Sequence, residues 1–215
     1  MLEEASAKHN GAVLVSFSGG KDSLCVLDLC MRSFQRVEAF YMAFIPGLEV
    51  VERELDKARE RYGIKIHTYL HWDAGEALKA GVFCNSHNSL LDLPPWKLRD
   101  VYNSAMAETG ITCVATGMKA SDGRARRQYF ANTQYQDTVY PLKGWSKFDV
   151  LAFMQARKIE LPPSSGSNTS GVGLAVGSLL WLHDNYPRDF KRLCAVFPYA
   201  EAVVWRRTFY GVGSE

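Results

Sequence analysis

The feature that most constrains this chain is a short apolar run, Ala12-Val13-Leu14-Val15-Ser16-Phe17. It stops at Ser18-Gly19-Gly20 and passes at once into a helical pattern. The run predicts a buried strand, and Leu24, Leu27 and Met31 recur at the three- and four-residue spacing of one helix face. Two glycines at the join let the backbone turn sharply and come close to whatever sits there.

The alternation continues along the chain. Residues 37–44 predict a second strand, stopped by Pro46-Gly47. Leu48, Val51, Leu55, Ala58 and Tyr62 trace a helix that Gly63 ends, and residues 64–70 predict a third strand. Residues 75–95 read as irregular, being rich in Asn, Ser, Gly and paired prolines. A helix over 96–109 and a fourth strand over 111–117 follow. Strands alternating with helices predict an α/β fold with a mainly parallel sheet covered by helices on both faces. Ligands in such sheets bind at the carboxyl ends of the strands, where Ser18-Gly19-Gly20 and Gly117-Met118-Lys119 would both lie.

Ser146 and Asp149 form a capping-box pattern opening a helix over 147–158. Residues 162–173 are a polar loop, and Ser164-Ser165-Gly166-Ser167-Asn168 is a candidate lid. Residues 178–210 read as two or three short helices. The expected organisation is a nucleotide-binding core over 1–160, with 161–215 a loop and helical appendage of the same domain.

The chain has 215 residues, 47% of them hydrophobic, and a net charge of +2. That suits one domain with a sizeable core and argues against a basic tail that binds nucleic acid broadly. No apolar stretch approaches the ~20 residues of a spanning helix, and the acidic start Met1-Leu2-Glu3-Glu4 predicts no secretory signal. The five cysteines, Cys25, Cys30, Cys84, Cys113 and Cys194, form no C-x-x-C pair and no disulfide framework. A cytoplasmic protein without a membrane partner is expected.

The hexapeptide Ser18-Gly19-Gly20-Lys21-Asp22-Ser23 carries the chemistry. Amide groups at a helix start point at an anion, and the helix dipole adds to the attraction. Ser18 and Ser23 supply hydroxyls, Lys21 an ammonium, and Asp22 a carboxylate that orients the loop or holds Mg²⁺. The hexapeptide is neither G-x-x-x-x-G-K-[ST] nor G-x-G-x-x-G.

Ser18–Ser23 resembles the S-G-G-x-D-S loop of the PP-loop ATP pyrophosphatases, also called adenine nucleotide α-hydrolases, whose fold is Rossmann-like. Within them the chain is most similar to the phosphoadenosine phosphosulfate (PAPS) reductase family. Residues 114–122 resemble its T-G-x-R-x-x-E/D segment, and residues 141–150 its P-L-x-x-W-x-x-x-D-V segment. The three blocks come in the family's order and span about residues 10–160.

The resemblance implies that Ser18, Gly19, Gly20, Lys21, Asp22, Ser23, Gly117 and Lys119 bind the phosphates of ATP or PAPS, with Mg²⁺ if ATP is used. Lys21, Asp22 and Arg126 are the candidate catalytic residues, and Arg126 belongs to a basic cluster with Lys119, Arg124 and Arg127. The reductases also carry an E-C-G-[IL]-H cysteine, which this sequence does not contain. Cys194 lies in a different setting that predicts core packing. The expected reaction is therefore cleavage of ATP between its α- and β-phosphates to adenylate an unidentified acceptor.

The alternatives are a PAPS reductase with a non-standard thiol and a thioredoxin-like reductant, or a nucleotide-binding module without catalysis. No iron–sulfur cluster is expected, and His67, His71, His87 and His183 lack metal-ligand spacing. His71 is a candidate for lining the cleft. Family precedent implies a homodimer. Trp96, Trp181 and Trp205 are expected in the core.

Overall fold

The computed structural model describes residues 1–85, 94–132, 137–166 and 172–211. The elements in chain order are α1 (Leu2–Lys8), β1 (Ala12–Ser16), α2 (Lys21–Ser33), β2 (Arg36–Ala43), α3 (Glu49–Tyr62), β3 (Ile66–Leu70), α4 (Trp72–Lys79) and α5 (Leu98–Thr109). There follow β4 (Val114–Ala115), a single 3₁₀ turn (Ala120–Asp122), α6 (Arg124–Asn132), β5 (Thr138–Val139) and α7 (Lys147–Ala156). The last helices are α8 (Pro163–Gly166), α9 (Val176–Asn185), α10 (Pro187–Val196) and α11 (Glu201–Tyr210).

The five strands form one parallel sheet in the order β3-β2-β1-β4-β5. β1 lies in the middle, with Val15 opposite Ala39 on one side and Ala115 on the other. A strand between two neighbours needs apolar side chains on both faces, and Val13, Leu14 and Val15 are fully buried. The expected parallel α/β sheet is therefore present. The fourth strand is shorter than the sequence predicts. Before it the Cys113 carbonyl accepts from the Leu14 amide.

The chain divides into two compact units. The first comprises residues 1–41, 55–68 and 103–162, and the second residues 42–54, 69–102 and 163–215. The first holds the body of the sheet, and its core includes Leu27, Phe40, Ile111 and Leu142. In the second, the C-terminal helices share a core with two earlier segments. Phe44, Ile45 and Leu48 pack with Leu179, Leu182, Phe190, Leu193 and Phe197.

Several local expectations are corrected. Residues 72–79 are helical, because His71 caps α4 by accepting from the Asp73 amide. Residues 86–93 of the stretch expected to be irregular lie outside the described residues, His87 among them. So do Ser167 and Asn168 of the candidate lid, while Pro163–Gly166 forms one helical turn. The basic stretch after the fourth strand is the helix α6. Trp205 is 58% exposed and stacks on Phe209 rather than filling a core. Trp96 is half-buried, and Trp181 packs half-buried against the core of the second unit, as expected. Among the described residues no helix is long and apolar enough to cross a membrane.

Candidate functional site

The glycine-rich loop stands where the sequence places it, between the end of β1 and the start of α2. Gly19 has φ +71°, a left-handed conformation that favours glycine. Gly20 is the N-cap of α2, so no side chain there covers the first-turn amides. Those amides carry the positive end of the helix dipole, and Asp22 in the first turn complements it. Ser23 Oγ donates to the Gly20 carbonyl at 2.9 Å, and Ser18 Oγ donates to Ser23 Oγ at 3.2 Å. The two hydroxyls thus brace the turn from inside.

The second motif meets the first at one point of close approach. A Cβ on Gly117 would stand 3.3 Å from the main-chain carbon of Asp22 and 3.4 Å from the Ser23 nitrogen. Glycine at 117 lets the segment after β4 lie against the first turn of α2. Lys119 then enters from that segment. Its ammonium is 2.7 Å from Asp22 Oδ1 and 3.1 Å from Asp122 Oδ1. Lys119 is only 3% exposed. The other oxygen of Asp22 faces Lys21 Nζ at 2.9 Å.

The third motif joins the second. Ser121 Oγ donates to the Trp145 carbonyl at 2.8 Å, and the Ala120 amide to the Lys143 carbonyl at 3.0 Å. The predicted capping box is present. The Ser146 amide donates to Asp149 Oδ2 at 2.7 Å, and the Asp149 amide to Ser146 Oγ at 3.2 Å. These bonds hold the Asp149 carboxyl below its ordinary range. Leu142 is fully buried beneath the turn, and Cys25 Sγ of α2 contacts the Val150 carbonyl of α7 at 3.8 Å.

Of the candidate residues, Ser18, Gly19, Gly20, Lys21, Asp22, Ser23, Gly117 and Lys119 come together. Arg126 is exposed on α6, with its guanidinium against the sulfur of Met118, the residue between Gly117 and Lys119. Sequence reasoning missed the ion pairs of Lys119, since Asp22 lies 97 residues away. Its nearer partner, Asp122, had a visible signal in the three-residue spacing.

His71 belongs to the second unit, where it caps α4, and burial lowers its pKa. Among the described residues no group of three or more His, Cys, Asp or Glu side chains is arranged to hold a metal ion.

Four of the cysteines are set against ionisation. Burial, with help from Asp22 and Asp28, pushes the Cys25 thiol up to about 12. Burial takes Cys113 to about 11 with Asp137 adding to it, takes Cys194 to about 11 beside Glu201, and raises Cys30 as well. Cys84 is buried in the core of the second unit. Cys194 packs half-buried against that core, as expected.

Comparison with known proteins agrees with the three motifs. The family model of the phosphoadenosine phosphosulfate reductase domain matches residues 12–164, more than half of the chain. No curated protein matches. Among solved structures, the NH3-dependent NAD synthetase of Campylobacter jejuni superposes with a TM-score of 0.52 at 14% identity, covering 100% of this chain and 93% of that one. This likeness is one of fold. A PAPS reductase from Candida auris gives 0.48 at 14% identity over 75% and 81% of the two chains. A tRNA thiolase from Methanococcus maripaludis, with its 4Fe–4S cluster, gives 0.46 at 16% over 94% and 78%.

Proposed function

The chain belongs to the phosphoadenosine phosphosulfate reductase domain family, and on that premise we propose that it binds ATP on residues 18–23 and transfers the adenylyl group to an acceptor. The observation that carries this reading is the uncapped start of α2 behind a left-handed glycine, with Lys21 at its first position. Such a site takes a phosphate group through main-chain amides and one ammonium.

An acceptor oxygen attacks the α-phosphorus. The bond from that phosphorus to the bridging oxygen breaks, and pyrophosphate leaves with the electron pair. Negative charge grows on the leaving group in the transition state. Lys21 and the loop amides stabilise it, and the rest of catalysis is positioning. Arg126 enters as a solvent-facing cation for the departing pyrophosphate. Gly117 acts by bringing the second motif against Asp22.

Asp22 serves in this proposal to orient the loop. Both of its oxygens face ammonium groups, a setting that does not suit a divalent cation.

A second reading, reduction of PAPS with a thioredoxin-like reductant, is favoured by the family's own description. It needs a thiolate nucleophile. Burial keeps Cys25, Cys30, Cys113 and Cys194 as thiols, which supports the adenylyl-transfer reading instead.

Phosphorus NMR of ATP turnover, beside a sulfite assay with PAPS and dithiol, separates the readings. Pyrophosphate and an adenylated product are expected. Sulfite from PAPS without pyrophosphate from ATP would overturn the proposal in favour of reduction. Tight nucleotide binding with neither product would mark a binding module.

A further inference from the structure

We infer that Lys119 is a positioning residue that holds Asp22 so that Lys21 can move from Asp22 to a phosphate group without leaving that carboxylate, whose inner oxygen is buried, unpaired. The inference rests on the nucleotide reading above and assigns its second lysine a task other than binding phosphate.

The two lysines of Asp22 are not equivalent. Lys21 Nζ faces Oδ2 at 2.9 Å, and its side chain keeps 22% of its exposure at the start of α2. Lys119 Nζ faces Oδ1 at 2.7 Å from a side chain that is 4% exposed. Asp22 Oδ1 is buried and accepts no well-aligned hydrogen bond among the described residues, so its charge is met there by the Lys119 ion pair. Lys119 also meets Asp122 Oδ1 at 3.1 Å, while its own amide donates to Asp122 Oδ2 at 3.2 Å. An ammonium buried between two carboxylates is neutralised and fixed, and it has no open side toward an incoming anion. Lys21 is the lysine that can turn outward.

The charges make this division useful. A carboxylate in the first turn of α2 would repel a phosphate and would hold Lys21 back from it. With Lys119 on its inner oxygen, Asp22 stays paired whichever way Lys21 points. Gly117 makes the arrangement sterically accessible, since a Cβ there would press on the Asp22 backbone.

The test is a double-mutant cycle on the full chain, with Lys119→Met, Asp22→Asn, the double variant, and Lys119→Arg as the conservative replacement. The denaturation midpoint without ligand and calorimetric affinity for ATP and inorganic pyrophosphate are both read. Lys119→Met is expected to lower the midpoint and to weaken both ligands about tenfold, the scale of one lost charged interaction. Adding Asp22→Asn is expected to recover most of both losses, because the carboxylate that was stranded and that held Lys21 is gone. Lys119→Arg is expected to keep both near wild type.

Additive midpoints would overturn the coupling while wild-type ligand binding stood. A double variant binding no better than Lys119→Met would overturn it too, making Lys119 a phosphate ligand. If the midpoints couple but the wild type binds neither ligand, the nucleotide reading falls and takes the partner exchange with it.

Discussion

Gly117 lies against Asp22 so closely that a single methyl group would touch the main chain, at 3.3 Å from its carbonyl carbon. Gly117→Ala should therefore move the first turn of α2 by a few tenths of an ångström. The expected stability loss is about 1 kcal/mol, the low end for overpacking. The expected loss in ATP affinity is larger, about tenfold, because small displacements are costly where donors must converge. Calorimetry alongside chemical denaturation checks this. A loss confined to stability would show that the contact does not shape the loop.

In the second unit, buried Asp189 of α10 accepts from the Glu49 and Val50 amides, each at 2.8 Å. It thereby caps α3 from a distant part of the chain. Asp189→Ala should cost about 2 kcal/mol, since two helix-end amides lose their acceptor. Asp189→Asn should cost less. Urea denaturation midpoints decide between these values and no effect.

The sheet also carries a cluster of ionisable side chains around buried His67. Both ring nitrogens of His67 lie 2.7 Å from carboxylate oxygens, those of Glu108 and Glu38. Burial by itself would raise the Glu38 carboxyl. Hydrogen bonds from His67 and Arg36, with their charges, outweigh it and hold the group below its ordinary 4.5. A carboxyl depressed in the folded state contributes its stability above the ordinary value and loses it as pH falls through the folded one. Glu38→Gln should thus be less stable than wild type at neutral pH, with the gap narrowing below pH 4.5. A gap that stayed constant down to pH 3 would contradict this.

Thiol reactivity gives an independent check on the reaction type. Iodoacetamide at neutral pH should label native protein slowly, because a thiol pushed to about 11 or 12 contains little thiolate. Cys194, the half-buried one, should react first, and Cys25, Cys30, Cys84 and Cys113 only on unfolding. Peptide mapping by mass spectrometry reads the order. Rapid labelling of any one cysteine would reopen the reductase reading.

The parts legible in the sequence are those set by local patterns. The apolar run, the glycine pair and the leucine spacing suffice for β1, the loop and α2. Ser146 and Asp149 suffice for the start of α7. The parts that were not legible depend on distant partners. The spacing of α11 shows a helical stripe, but not that Trp205 and Phe209 are left to solvent while Val203 is covered. α6 is not legible in the sequence, because the basic residues at its start oppose the helix dipole. A cation at position 119 was visible, but its neutralisation by Asp22 comes from packing across the sheet edge.

The central claim is that residues 18–23 hold the phosphates of ATP, and calorimetry of ATP with wild type and Lys21→Ala tests it most directly. Wild type should bind, and Lys21→Ala should bind at least about tenfold more weakly, the loss expected for one charge-assisted hydrogen bond. Equal affinity of the two proteins, or no binding to either, would contradict the account.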